Sequence, residues 1–282
     1  MKTTWVLQAN LLRRSKDDMA RTLSELGIPY VGVNVTPSSP TLGFLSTFPD
    51  HKNLIPHGSV SLLRHALRAR WKGAFFDTRP FRVDTWLTRR RDMLNKATVL
   101  TVRQAEREWA ETTGHWHVRP AEGLKLFDGV VLSADELKRW LKNPDSIQSR
   151  TGSITSDTEI AISEAQTLKG EWRWFVVKHR IIDGSLYRAN GAQLLRHEEN
   201  PQLLRMAEEL AADWLPHDVC VMDTALTSRG LKVTEFNCFN CAGFYAHDTS
   251  RVLKCVNDYF ATGGDIQEIP LEAHTQGGSA NV

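Results

Sequence analysis

The sequence predicts an open α/β unit at the N-terminus followed by a larger α+β body, and three observations carry that expectation. A strand, a helix and a second strand fit within the first 35 residues, the spacing of a βαβ unit. After residue 158 short apolar strands separated by tight turns dominate, as in antiparallel hairpins. The length of 282 residues exceeds one ordinary domain of about 150 residues and falls short of three.

Taken in order, Trp5–Ala9 reads as a buried strand, and Ser15 as the cap of a helix over Lys16–Leu26 that Gly27 stops. Tyr30–Val35 is the second strand, ended by Pro37, and the stretch through Pro40, Pro49 and Pro56 reads as loop. A helix is expected over Ser61–Trp71, then a mixed apolar and basic stretch to Arg91. Thr98–Leu100 is strand-like, Val102–Thr112 helical, and His115–Arg119 a strand ended by Pro120. Ser133 and Glu136 form a capping box that opens a helix to Leu141, and residues 143–158 are a polar connector. Glu159–Ile162, Glu171–Lys178 and Arg180–Tyr187 read as strands, the last two as a hairpin. A helix at Pro201–Leu215, strands at Val219–Leu226 and Leu231–Asn237, and a helix at Asp248–Phe260 complete the order. The expected division is residues 1–95 as the leading α/β domain, 96–265 as the main body and 266–282 as a flexible tail.

Composition narrows the function. Hydrophobic residues make up 41% and charged residues 24%, an ordinary globular balance that excludes a largely disordered chain. No stretch approaches the roughly 20 apolar residues of a membrane span, and the opening residues run straight into a strand, so neither a secreted nor a membrane protein is expected. Four cysteines are too few for a disulfide scaffold and suit a reducing cytoplasm. The net charge of +2 hides a split: residues 1–110 carry 18 basic and 9 acidic side chains, and the remainder 17 and 24.

Three segments carry candidate chemistry. On the strand Leu231–Asn237, Glu235 and Asn237 are two apart and share a face, and a turn at residues 228–230 brings Asp223 beside them. Three oxygen-bearing side chains on one face suit a hard cation such as Mg²⁺, although any half-exposed strand shows the same alternation. Gly170-Glu171-Trp172-Arg173 places a carboxylate and a guanidinium side by side; Arg173 suits a phosphate or carboxylate, and an exposed ion pair is the plain alternative. Third, the strand His117-Val118-Arg119-Pro120 breaks into a Gly-containing loop with Lys125, a place to lay cations over a polyphosphate.

In this order the segments resemble the ATP-grasp superfamily of carboxylate–amine ligases, as in ribosomal-protein glutamate ligases and glutathione synthetases. Glu171-x-Arg173, with Gly170 directly before it, is similar to the Asp-x-Arg of that family's Gly-x-Asp-x-Arg strand. The spacing Asp223-x₁₁-Glu235-x-Asn237 is similar to its metal-binding Asp…Glu-x-Asn, and Val118-Arg119-Pro120 to its Val-Lys-Pro strand. The resemblance covers about residues 95–262. It implies an ATP-grasp fold of two α+β subdomains behind a pre-ATP-grasp α/β domain. It further implies ATP contacts at Arg119, Lys125, Glu164, Glu171 and Arg173, and Mg²⁺ at Asp223, Glu235 and Asn237. The implied activity is ADP-forming ligation of a carboxylate to an amine through an acyl phosphate, on a small molecule, a peptide or a protein terminus. Arg173 and Arg188 are then the candidate catalytic cations. Arg119 replaces the family's usual Lys, and Cys238-Phe239-Asn240-Cys241 replaces its Ser-Pro-Gly loop, which leaves the acceptor open.

Two competing signals stand beside this. Cys238-x₂-Cys241 with His247 is half of a zinc site and lacks a second Cys pair. Residues 64–107 hold 12 Lys/Arg against 4 acids, and Arg64, Arg68, Arg70, Lys72, Arg79, Arg82, Arg89, Arg90 and Arg91 form either the footprint of an anionic substrate or nucleic acid or a plain solvated basic face. The alternative function is therefore a polyanion-binding protein with a degenerate ATP-grasp body. No Walker-type or Gly-x-Gly-x₂-Gly loop occurs, which removes P-loop and dinucleotide-fold readings.

Overall fold

The computed structural model describes residues 3–11, 14–36, 53–124, 126–147, 149 and 153–264. These residues build three sheets. The first takes β1 (Thr4–Gln8), β2 (Tyr30–Val33) and β3 (Leu54–His57), all parallel in the order β2-β1-β3. Helix α1 (Arg14–Glu25) crosses between β1 and β2, the βαβ unit expected. The helix already runs at Arg14, so Ser15 lies inside it and is not its cap. β3 was expected to be loop because of Pro56. It pairs with β1 at the edge of the sheet, where a missing N–H costs no ladder bond.

Helix α2 (Val60–Arg68) buries Leu62, Leu63 and Ala66. Helix α3 (Val83–Arg89) buries Val83 and Trp86 inside the stretch read as mixed and basic. Two cations of that stretch are withdrawn from its surface, while Arg68, Arg70, Lys72, Arg79, Arg89 and Arg91 are exposed. Arg82 is paired with Asp84 and Glu159, and Arg90 is 1% exposed. Arg90 donates to Asp92 and to the carbonyls of Leu210 and Trp214, both at 2.7 Å.

A four-stranded antiparallel sheet follows, ordered β4-β7-β5-β6, from β4 (Thr98–Thr101), β5 (His115–Pro120), β6 (Val130–Ser133) and β7 (Glu159–Glu164). Helices α4 (Val102–Glu108) and α5 (Ala134–Lys142) cover one side with Leu137, Trp140 and Ala105. The Ser133/Glu136 capping box is formed as expected, and Thr101/Gln104 forms a second one at α4.

The largest sheet has five antiparallel strands in the order β10-β9-β8-β11-β12. They are β8 (Gly170–Val177), β9 (Arg180–Ala189), β10 (Ala192–His197), β11 (Val219–Thr227) and β12 (Gly230–Cys238). β10 escaped the sequence reading because its residues are exposed on both faces, Leu194 and Leu195 at 47% each, so no alternation marks it. Helix α6 (Pro201–Ala211) packs on one face over Trp172, Trp174 and Met222. It ends before the expected Leu215, where Arg90 takes up the carbonyls of Leu210 and Trp214. The other face is divided. At one end Phe175, Val177, Val219 and Val221 meet β1, α1 and helix α7 (Thr249–Ala261) in an apolar core. The opposite end of that face is polar and carries the candidate site.

Candidate active site

The polar end is built by register. Arg173 on β8 lies directly opposite Asp223 on β11, and Asp223 directly opposite Glu235 on β12, so three charged residues form one row across the sheet. Two β-bulges shape the row. Between Asp223/Glu235 and Thr224/Val233 the extra residue is Thr234, and between Glu171/Arg188 and Trp172/Leu186 it is Tyr187. The second bulge lets both Tyr187 and Arg188 reach Glu171, whose Oε2 accepts the Tyr187 hydroxyl at 3.1 Å and whose Oε1 accepts Arg188 Nη1 at 3.3 Å. Gly170 opens β8 because a Cβ there would lie 2.5 Å from the Trp172 ring.

Asp223 and Arg173 are both buried and joined in a fork. Nε donates to Oδ1 at 2.9 Å and Nη2 to Oδ2 at 2.7 Å. Burial works against the Arg173 charge, but Asp223 outweighs it and holds the guanidinium protonated. Asn237 Nδ2 donates to Asp223 Oδ2 at 3.0 Å and to Glu235 Oε1 at 2.9 Å, tying the two carboxylates together. From the four-stranded sheet Arg119 reaches across to Glu235 Oε2 at 2.8 Å, its guanidinium stacked 5.0 Å from the Trp86 ring. Beside Arg119, burial together with the Arg119 charge lowers His117 to about 4. Burial, with Asp223 and Glu171 nearby, also pushes the Tyr187 hydroxyl well up, so it stays a donor.

The structure thus brings Arg119, Glu171, Arg173, Arg188, Asp223, Glu235 and Asn237 into one linked array. Glu164 is not in it. It is exposed at the end of β7, on the face of its sheet opposite Arg119. Lys125 lies outside the described residues. Tyr187 and Tyr245, whose ring lies 4.8 Å from the Arg173 guanidinium, carry no sequence signal; only the bulge and the loop after β12 bring them in.

Asp223, Glu235 and Asn237 offer oxygen donors alone, a set that fits a hard cation, with Arg119 and Arg173 balancing the two carboxylates. The zinc alternative is not built. Cys238 is buried against the Phe75 carbonyl and Asn240, and His247 is turned to the Arg173 carbonyl. Among the described residues no group of three His, Cys, Asp or Glu stands at metal-holding distance.

The family model for the ATP-grasp domain, R2K clade family 2, matches residues 92–255, more than half of the chain. The chain belongs to this family. It is an ATP-grasp protein, and the family's members are carbon–nitrogen ligases. The fold agrees. The chain is similar to a RimK domain ATP-grasp protein from Sphaerobacter thermophilus, at 13% identity and TM-score 0.57, covering 92% of this chain and 100% of that one. D-alanine–D-alanine ligase from Bacillus anthracis is similar at 12% identity and TM-score 0.59, over 94% and 99%. The ATP-grasp ligase PsnB, solved with a precursor variant, Mg and ADP, is similar at 15% identity and TM-score 0.56, over 93% and 99%. None of the curated proteins matches the chain in sequence. Among the described residues no helix is long and apolar enough to cross a membrane.

Proposed function

We propose that this ATP-grasp protein is an ATP-dependent, ADP-forming ligase that joins a carboxylate to an amine, on a small molecule, a peptide or a protein terminus. The observation that carries the reading is the array in which Asn237 bridges Asp223 and Glu235 while Arg173 and Arg119 flank them. Such an array offers oxygen donors for a divalent cation and guanidinium donors for phosphate oxygens within one partly enclosed face. In this reading residues 1–95 are the leading domain and 96–265 the ATP-grasp domain, while the expected tail at 266–282 lies outside the described residues. Four cysteine thiols without disulfides accord with a cytoplasmic setting.

Asp223, Glu235 and Asn237 would hold Mg²⁺, which when bound would supply charge neutralisation for the phosphates. Arg119 and Arg173 hold phosphate oxygens, with Lys125 as a third cation. Arg188, with its side chain 53% exposed, receives the substrate carboxylate. The carboxylate oxygen then takes the γ-phosphoryl group as the bond to the ADP oxygen breaks. An amine attacks the acyl phosphate formed, the acyl C–O bond breaks, and phosphate and a proton leave with the amide. Side chains do little covalent work in such transfers; position and electrostatics carry them.

The two carboxylates and two guanidiniums at the centre cancel, so the acidic excess beyond residue 110 does not by itself repel ATP. The polyanion-binding alternative loses Arg82, engaged by two carboxylates, and the buried Arg90, and keeps the exposed Arg68, Arg70, Lys72, Arg79, Arg89 and Arg91. The test is ADP release across pairs of amino acids and short peptides, with the products read by mass spectrometry. The expected outcome is ADP formation coupled to one condensed product, lighter by water than its parts. ATP binding without ADP release by any pair contradicts the reading.

A further inference from the structure

The loop that follows β12 is tied to the five-stranded sheet at four points within six residues. The Gly243 carbonyl accepts Arg173 Nη1 at 3.4 Å, and Ala246 N–H donates to Ser185 Oγ at 3.2 Å. His247 Nε2 donates to the Arg173 carbonyl at 3.1 Å, and Asp248 N–H to Asp183 Oδ2 at 2.8 Å. Asp183 is 4% exposed and is itself held by His197 at 2.8 Å. Phe244 packs on Phe175 with ring centroids 4.5 Å apart. A segment fixed this way does not carry its side chains at random.

Between these anchors Tyr245 remains 36% exposed, among the few large apolar side chains that are. Its ring stacks on Tyr187 at 5.3 Å and 32°, and the Arg173 guanidinium lies 4.8 Å from its centroid. Tyr187 and Arg188 leave the same bulge, so the shelf of two tyrosines adjoins the half-exposed Arg188. The chemistry of the shelf is selective. The Arg173 guanidinium already takes the cation's place over the Tyr245 ring, so a substrate cation finds that place filled. An aromatic group is favoured instead, because offset aromatic pairs gain beyond their buried area.

We infer that Tyr245 is a specificity-determining residue and that the carboxylate substrate carries an aromatic group that stacks on it, with its carboxylate toward Arg188. The inference rests on the ligase reading above and specifies that reading's acid substrate. The experiment measures ADP release by the full chain with acids and short peptides bearing aromatic, aliphatic or cationic side chains beside the carboxylate. Aromatic acids are expected to give the highest kcat/KM and cationic ones the lowest. Tyr245→Ala is expected to raise KM for aromatic acids about tenfold, the size of an aromatic pair's gain, while KM for aliphatic acids moves little. Tyr245→Phe, which keeps the ring, restores the KM. Equal kcat/KM across the three classes, an aromatic preference on the amine alone, or an unmoved KM in Tyr245→Ala overturns the inference while leaving the ligase standing. ADP release with no pair overturns the ligase reading and this inference with it.

Discussion

His247 shows how a single buried side chain links the site to pH. Its Nε2 donates to the Arg173 carbonyl, while Nδ1 is buried without a hydrogen-bond partner. A proton on Nδ1 would place charge in an apolar setting, so burial, with the Arg173 charge adding to it, lowers the imidazole from 6.5 to about 3. A histidine depressed in the folded state contributes stability that is present above about 6.5 and lost as pH falls toward 3. The urea midpoint should therefore fall between pH 7 and pH 5, and His247→Gln should flatten that slope. An unchanged slope in the variant contradicts the assignment. At this scale much was legible: the two-residue spacing of Glu235 and Asn237 put both on one face, and they are joined there. What could not be read was the partner of each charge. Arg173 stands by Asp223, 50 residues away, and Arg119 by Glu235 on another sheet, because strand order sets those pairs and local spacing does not.

Elements explain which parts of the fold were readable. β12, whose first half alternates buried and half-buried residues, announces itself by that alternation, β8 by its continuous run of apolar and aromatic residues, and α5 by the capping box in its first turn. β10, exposed on both faces, and β3, an edge strand holding Pro56, lack that mark. The bulges are invisible for another reason: an inserted residue looks like ordinary strand until its partner is known. The hairpin of β8 and β9 turns at Lys178 and His179, both with positive φ (47° and 64°), without the glycine that usually announces such a turn. Within that hairpin Gly184 faces Trp174, and a Cβ at Gly184 would lie 2.3 Å from the indole. Trp174 is fully buried and bonded to Thr224, so it has little room to yield. Gly184→Ala is expected to lower stability by about 2 kcal/mol in urea unfolding. A variant as stable as the parent would show that the indole can move.

For the whole molecule, charge and architecture now fit together. Not all of the +9 of residues 1–110 is surface charge, since Arg90 is interior and Arg82 bridges Asp84 and Glu159. The acidic remainder concentrates two of its carboxylates where two guanidiniums balance them. Arg119 to Glu235 joins the four-stranded sheet to the five-stranded one, so the candidate site draws on both sheets. The central claim is that Asp223, Glu235 and Asn237 hold the metal of a Mg²⁺–ATP site. Calorimetric titration of ATP into the full chain, with and without Mg²⁺, tests it most directly, alongside Glu235→Gln and Asn237→Ala. Binding is expected to depend on Mg²⁺ and to weaken by more than about tenfold in each variant, the scale of losing a partner at a metal site. Nucleotide affinity that is the same in both variants as in the parent would contradict it.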